Sequence, residues 1–167
     1  MEISAADGSV LAELAERRKV AIGERQEEFT LPGPYKSRLG IRVRNIARTE
    51  LEEIDRDARR EAAKANQPEM GGIWAQCDIL VRACVELLVR DTPDGKWRVL
   101  GGEHPVRFDD RLAQGLQFSW TSPRDAVRVV FGEDLNLETF VAIYEAWQRN
   151  LDAYVDAQLR EAAQGNS

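Results

Sequence analysis

Histidine, cysteine and methionine are scarce in this chain of 167 residues, which has one His, two Cys and two Met. The single histidine, His104, precedes Pro105 in a Gly-rich stretch. A general base needs an orienting carboxylate and a nucleophile in reach, and no Ser or Cys stands in a matching context. Cys77 and Cys84 have no second Cys or His at ligand spacing, which argues against a metal or redox role. On one helix they would stand about 10.5 Å apart, beyond the roughly 7 Å reach of a disulfide. They read as small buried core residues. Asp109 and Asp110 would need further oxygen ligands to hold a divalent ion, and helix capping is the more economical reading. Gly101-Gly102 lacks the GK[ST] ending of a phosphate loop. No apolar run approaches the ~18 residues of a membrane span, and no basic leader followed by an apolar stretch opens the chain. The expectation is a cytoplasmic protein that acts by binding, with no enzymatic activity, no cofactor and no metal.

Charge is abundant but unevenly placed. The chain is 43% hydrophobic and 31% charged with a net charge of −6, which is the composition of a globular protein. Between Tyr35 and Thr49 lie five bases (Lys36, Arg38, Arg42, Arg44 and Arg48) and no acid. From Glu133 onward there are seven acids and two bases. The acidic total argues against nucleic acid or an anionic membrane as main partner. The basic stretch has the charge to grip phosphate, with Tyr35 to stack, yet it lacks a recognition-helix pattern, and a solvated strand face accounts for it better.

Periodicity divides the chain into an N-terminal helical arm (1–27), an α+β core (28–132) and a C-terminal amphipathic helix (133–167). Ser9 caps a moderately amphipathic helix to Ala21, with Val10, Leu11, Leu14 and Val20 on its apolar side. Residues 28–32 and 41–44 alternate as strands, with Phe29 and Leu31 as cross-strand partners of Ile41 and Val43. Thr49 and Glu52 form a capping box for a helix to about Lys64. Ile73 to Val89 reads as the central core helix. Asp94-Gly95 offers a competing β-hairpin that would shorten that helix. Val106 and Phe108 suggest one more extended piece. Asp109 or Asp110 caps a short helix over 111–116, and Ser122-Pro123 starts another that stops at Gly132. The resulting fold class is helix-dominated α+β, a small antiparallel sheet packed on a central helix with a long C-terminal helix.

In that last helix, Leu137, Phe140, Tyr144, Trp147, Leu151 and Tyr154 step by 3, 4, 3, 4, 3, which is an a/d seam. The seam serves either the chain's own core or a partner. Its large aromatics are of the kind enriched at interface anchors. The candidate partner-binding residues are therefore Phe140, Tyr144, Trp147, Leu151 and Tyr154, joined by Arg42 and Arg44 of the basic stretch. Self-association of acidic helix on basic strand would follow from the same charges.

The stretches FTLPG, IRVRNI, ILVRACVELLVRD, DGKW, PVRFDDRLAQGL and SPRDAVRVVFG, spanning Phe29 to Gly132, resemble tail assembly chaperones of long-tailed actinobacterial phages and prophages. The likeness lies in packing and turn residues, and the C-terminal helix stands outside it. The resemblance implies a small virus-encoded protein of the host cytoplasm, absent from the finished virion. It implies that the tape-measure protein and tail tube protein are partners, the first kept soluble and the second recruited. Two rival readings are a structural tail or neck protein retained in the virion and a nucleic-acid-binding regulator using Lys36–Arg48.

Overall fold

A computed structural model describes residues 3–165 and shows a helix-dominated α+β protein. In chain order the elements are α1 (Ala5–Gly23), β1 (Gln26–Thr30), β2 (Leu39–Arg44), α2 (Arg48–Lys64), a single 3-10 turn (Pro68–Met70), α3 (Gly71–Ala83), β3 (Cys84–Val89), β4 (Arg98–Val99), α4 (Asp110–Leu116), α5 (Pro123–Phe131) and α6 (Asp134–Gly165). The four strands form one antiparallel sheet in the order β1-β2-β3-β4.

Register explains the two faces of the sheet. Phe29 lies opposite Ile41, which lies opposite Leu87. Ile41, Val43 and Leu87 are wholly buried with Leu39 beside them. One residue along, Glu28 lies opposite Arg42, which lies opposite Glu86, so period-two alternation sends this charged row to the other face. Helices α3, α5 and α6 close the apolar side in a single core: Cys77 and Leu80 from α3, Val127, Val130 and Phe131 from α5, and Leu137, Phe140 and Tyr144 from α6. Gly40 on the charged side has no room for a side chain, because a Cβ there would stand 2.9 Å from the Trp97 ring and 3.0 Å from the Phe29 carbonyl.

The expected central helix over 73–89 is half helix and half strand. Helical hydrogen bonding stops at Ala83, Cys84 turns to extended backbone (φ −65°, ψ 115°), and 84–89 pairs with β2. The hairpin reading prevails. Val85, Leu87, Leu88 and Val89 supply β-branched and apolar side chains for a strand buried between neighbours, and Leu39 to Val43 supply its partner. Val106 and Phe108 are buried without joining the ladder as a strand, although Leu87 N–H donates to Val106 O at 3.1 Å and Val106 N–H to Leu100 O at 2.8 Å.

The starts of α1, α4 and α5 are set by side chains, and those of α2 and α3 are not. Asp109 accepts from Arg111 and Leu112 N–H, and Ser122 accepts from Asp125 N–H with Pro123 at the first position, both as expected. Gly132, at φ 77°, stops α5. Helix α1 begins four residues earlier than expected, capped by Ser4 onto Asp7 N–H, so Ser9 lies inside it. Helix α2 has no capping box. It starts at Arg48 with Ala47 as N-cap, and Glu52 instead faces Arg48 at 3.4 Å. Glu50 provides the negative charge that suits a helix N-terminus.

Candidate binding surfaces

The seam of α6 turns inward. Leu137, Phe140, Tyr144 and Leu151 are buried, none more than 5% exposed. Phe29 meets Phe140 edge to face at 5.8 Å and Trp147 at 6.2 Å, so the aromatic row lies across the apolar side of the sheet. Tyr144 adds a polar anchor. Its hydroxyl donates to the Arg44 carbonyl at 2.7 Å, and Gln148 Nε2 donates to Tyr144 Oη, Asn45 Oδ1 and the Ile46 carbonyl within 3.1 Å. Burial raises the Tyr144 phenol above its ordinary value. The expectation that Phe140, Tyr144 and Leu151 anchor a partner is corrected accordingly: a side chain buried within its own chain offers no surface. Trp147 is half-buried against that core, and Tyr154 alone of the seam stands exposed, with the Arg25 guanidinium 4.8 Å over its ring.

Arg42 and Arg44 are engaged at home as well. Arg42 bridges Glu28 and Glu86, its two directly opposed neighbours in the sheet, which is how cross-strand opposite charges stabilise a face. Arg44 donates through Nε to the Arg82 carbonyl at 3.1 Å and lies 3.6 Å from Glu50. Arg48 pairs with Glu52. The basic stretch therefore splits: three of its five cations face acids, while Lys36 and Arg38 point to the β3–β4 end of the sheet. The sequence concealed this split because the acids come from β1, β3 and α2.

Among the described residues, a cluster of exposed apolar side chains lies on α1. None of its residues is buried, and Val10, Leu11, Leu14 and Val20 are each about half exposed. The helix touches only the C-terminal helix α6 in appreciable measure. At its C-terminal end an open groove of about 1190 Å³ runs between α1, the β2–α2 connection and α6, lined by Lys19, Ile22, Ile46, Leu51, Glu145 and Arg149 among others. Burying the remaining half of three side chains such as Val10, Leu11 and Leu14 against a partner would contribute roughly 2–4 kcal/mol before ordering costs. Exposed stripes of this kind mark interaction sites.

The titratable groups describe structure more than chemistry. Burial pushes the Cys77 and Cys84 thiols up to about 12, with Asp78 adding to the effect at Cys77; neither is poised as a nucleophile. Arg124 is held above its usual value by its fork onto Asp78 (2.8 and 2.6 Å) and by Glu61, and it lies 4.7 Å over the Trp74 ring. That one side chain ties α5 to α2 and α3. His104 sits exposed in its loop, where its carbonyl accepts from Arg111. Among the described residues no group of His, Cys, Asp and Glu could hold a metal ion, and no helix is long and apolar enough to cross a membrane. No family model, curated protein or solved structure matches the chain.

Proposed function

We propose that the protein is a non-enzymatic tail assembly chaperone of a long-tailed phage or prophage. In the host cytoplasm it binds the tape-measure protein, keeps it soluble and helps recruit tail tube subunits. The observation that carries the reading is α1, a helix with no buried residue and an exposed Val10–Leu11–Leu14 stripe. A chaperone for a long helical client needs accessible apolar side chains that make repeated contacts, each of them weak enough to release. The resemblance of residues 29–132 to tail assembly chaperones supplies the identity of the client.

Co-expression with the tape-measure protein of the same phage or prophage tests the proposal. The expected result is a soluble complex, with the tape-measure protein aggregating when expressed alone. A tape-measure protein that stays insoluble beside the intact chain, or one that is soluble without it, overturns the reading. Mass spectrometry of purified virions separates the structural alternative, since a chaperone leaves no peptides there.

A further inference from the structure

The cations that the sheet does not neutralise converge on one hollow. It measures about 480 Å³ and lies between the Pro34–Arg38 turn, the β3–β4 hairpin and α4, within the roughly 300–1,000 Å³ range of sites that enclose a side chain or small ligand. Its rim carries Lys36, Arg38, Arg90 and Arg98 with no acid among the lining residues. Its floor is apolar, formed by Leu39, Val89, Leu100 and Leu116, with Tyr35 half-buried at one wall. In a chain of net charge −6, an island of four bases is a local reversal of the surrounding field.

The rim is built, not frayed. Arg90 lies over the Trp97 ring at 3.9 Å and donates through Nε to the Ser37 carbonyl at 2.8 Å. Arg38 donates through Nε to the Arg90 carbonyl at 3.2 Å, which leaves its Nη groups for another acceptor. Lys36 and Ser37 both adopt the left-handed backbone region, at φ 52° and 63°. Two successive non-glycine residues in that region are strained, and such strain collects at ligand sites. The turn it produces sets Lys36 at the rim, where its ammonium makes no ion pair among the described residues. One acid stands nearby: Asp91, outside the lining, pairs with Arg98 at 2.9 Å and is 80% exposed, so water screens that pair.

We infer that this hollow is a docking pocket for an acidic segment of a protein partner, one that presents a carboxylate beside a large apolar side chain. Charge selects the carboxylate, and the leucine floor selects the apolar neighbour. A bare phosphate would leave that floor unused, and a polyanion such as nucleic acid would meet the repulsion of the acidic whole. The inference rests on the binding reading above but not on the tape-measure protein as client.

The test uses the full chain and short labelled peptides, read by fluorescence anisotropy. The probe alternates glutamate and leucine. Control peptides replace glutamate by glutamine or leucine by serine, and inorganic phosphate and a single-stranded oligonucleotide serve as competitors. The glutamate–leucine peptide should bind better than either control peptide, more weakly as salt rises, and without displacement by phosphate or oligonucleotide. The double variant Lys36→Glu with Arg98→Glu should weaken binding by at least about tenfold with an unchanged melting curve, since both side chains are exposed. Lys36→Gln alone and Leu116→Ser should each weaken it in part. Binding that ignores these substitutions, equal binding of the control peptides, or displacement by phosphate or oligonucleotide overturns the inference. Because no client protein enters the experiment, its failure leaves the chaperone reading standing, and the reverse holds too.

Discussion

Helices α1 and α6 both carry apolar residues at helical spacing, and they spend them in opposite ways. In α6 the spacing repeats without interruption from Leu137 to Leu151, and Leu137, Phe140, Tyr144 and Trp147 close the core with Phe29, Ile41 and Phe131. In α1 the apolar residues cluster at Val10, Leu11 and Leu14 and then give way to Arg17, Arg18 and Lys19, and none is buried. A long seam finds a matching face within its own chain. A short stripe broken by charge contributes little to the fold and stays available. The same contrast applies to the cations, where Arg42 is held between Glu28 and Glu86 while Lys36 stands at the rim of the hollow.

Substitutions should separate the two helices, beginning with the largest effect. Phe140→Ala should cost about 3–5 kcal/mol, as removal of an enclosed aromatic does. Urea unfolding measures it, and a cost near that of a surface site would mean that the seam is not core. Next comes Arg124→Ala, which leaves Asp78 without its forked partner and should cost roughly 1–3 kcal/mol. Because Asp78 and Arg124 are partly exposed, the cost should shrink as salt is raised.

The buried thiols give a smaller, pH-dependent effect. Their folded values near 12 exceed the ordinary 9.0, with burial as the main cause. The folded chain therefore keeps protons that the unfolded chain loses, so stability is complete below about pH 9 and declines as pH rises toward 12. Tyr144, also raised by burial, adds to the decline above its ordinary value of 10.0. The slope should be roughly 1 kcal/mol per pH unit for each such group. Urea midpoints that stay level from pH 8 to about 11 would contradict the enclosure of these groups. Smallest of all, Leu14→Ala should change stability by about 0.5 kcal/mol or less while weakening client binding.

Much of the fold could be read in the sequence wherever a local signal acts alone. Asp109, Ser122-Pro123 and Gly132 set their helix ends as their chemistry predicts, and Phe29 does face Ile41, whereas Val43 faces Glu27 and Leu31 lies by Leu39. The run from Ile73 to Val89 resisted, because an apolar stretch buried on several sides looks the same as helix or strand. Its switch at Cys84 is set by pairing with a strand some forty residues away. The capping box at Thr49 failed because the helix begins at Arg48 with Ala47 as N-cap, which places Thr49 inside it. Of the candidate site, the seam residues could be read but not whether core or partner covers them, since a period locates a stripe but not its occupant. Arg90, Arg98 and Trp97 went unnoticed because only the hairpin brings them beside Lys36 and Arg38.

The central claim is that α6 builds the molecule and α1 serves the partner. It is tested most directly by comparing the intact chain with one that begins at Glu24, in urea unfolding and in solubilisation of the tape-measure protein side by side. The account predicts unfolding midpoints that agree closely, because α1 has no buried residue, together with loss of the soluble complex. A truncated chain that unfolds early, or one that keeps its client soluble, would contradict it.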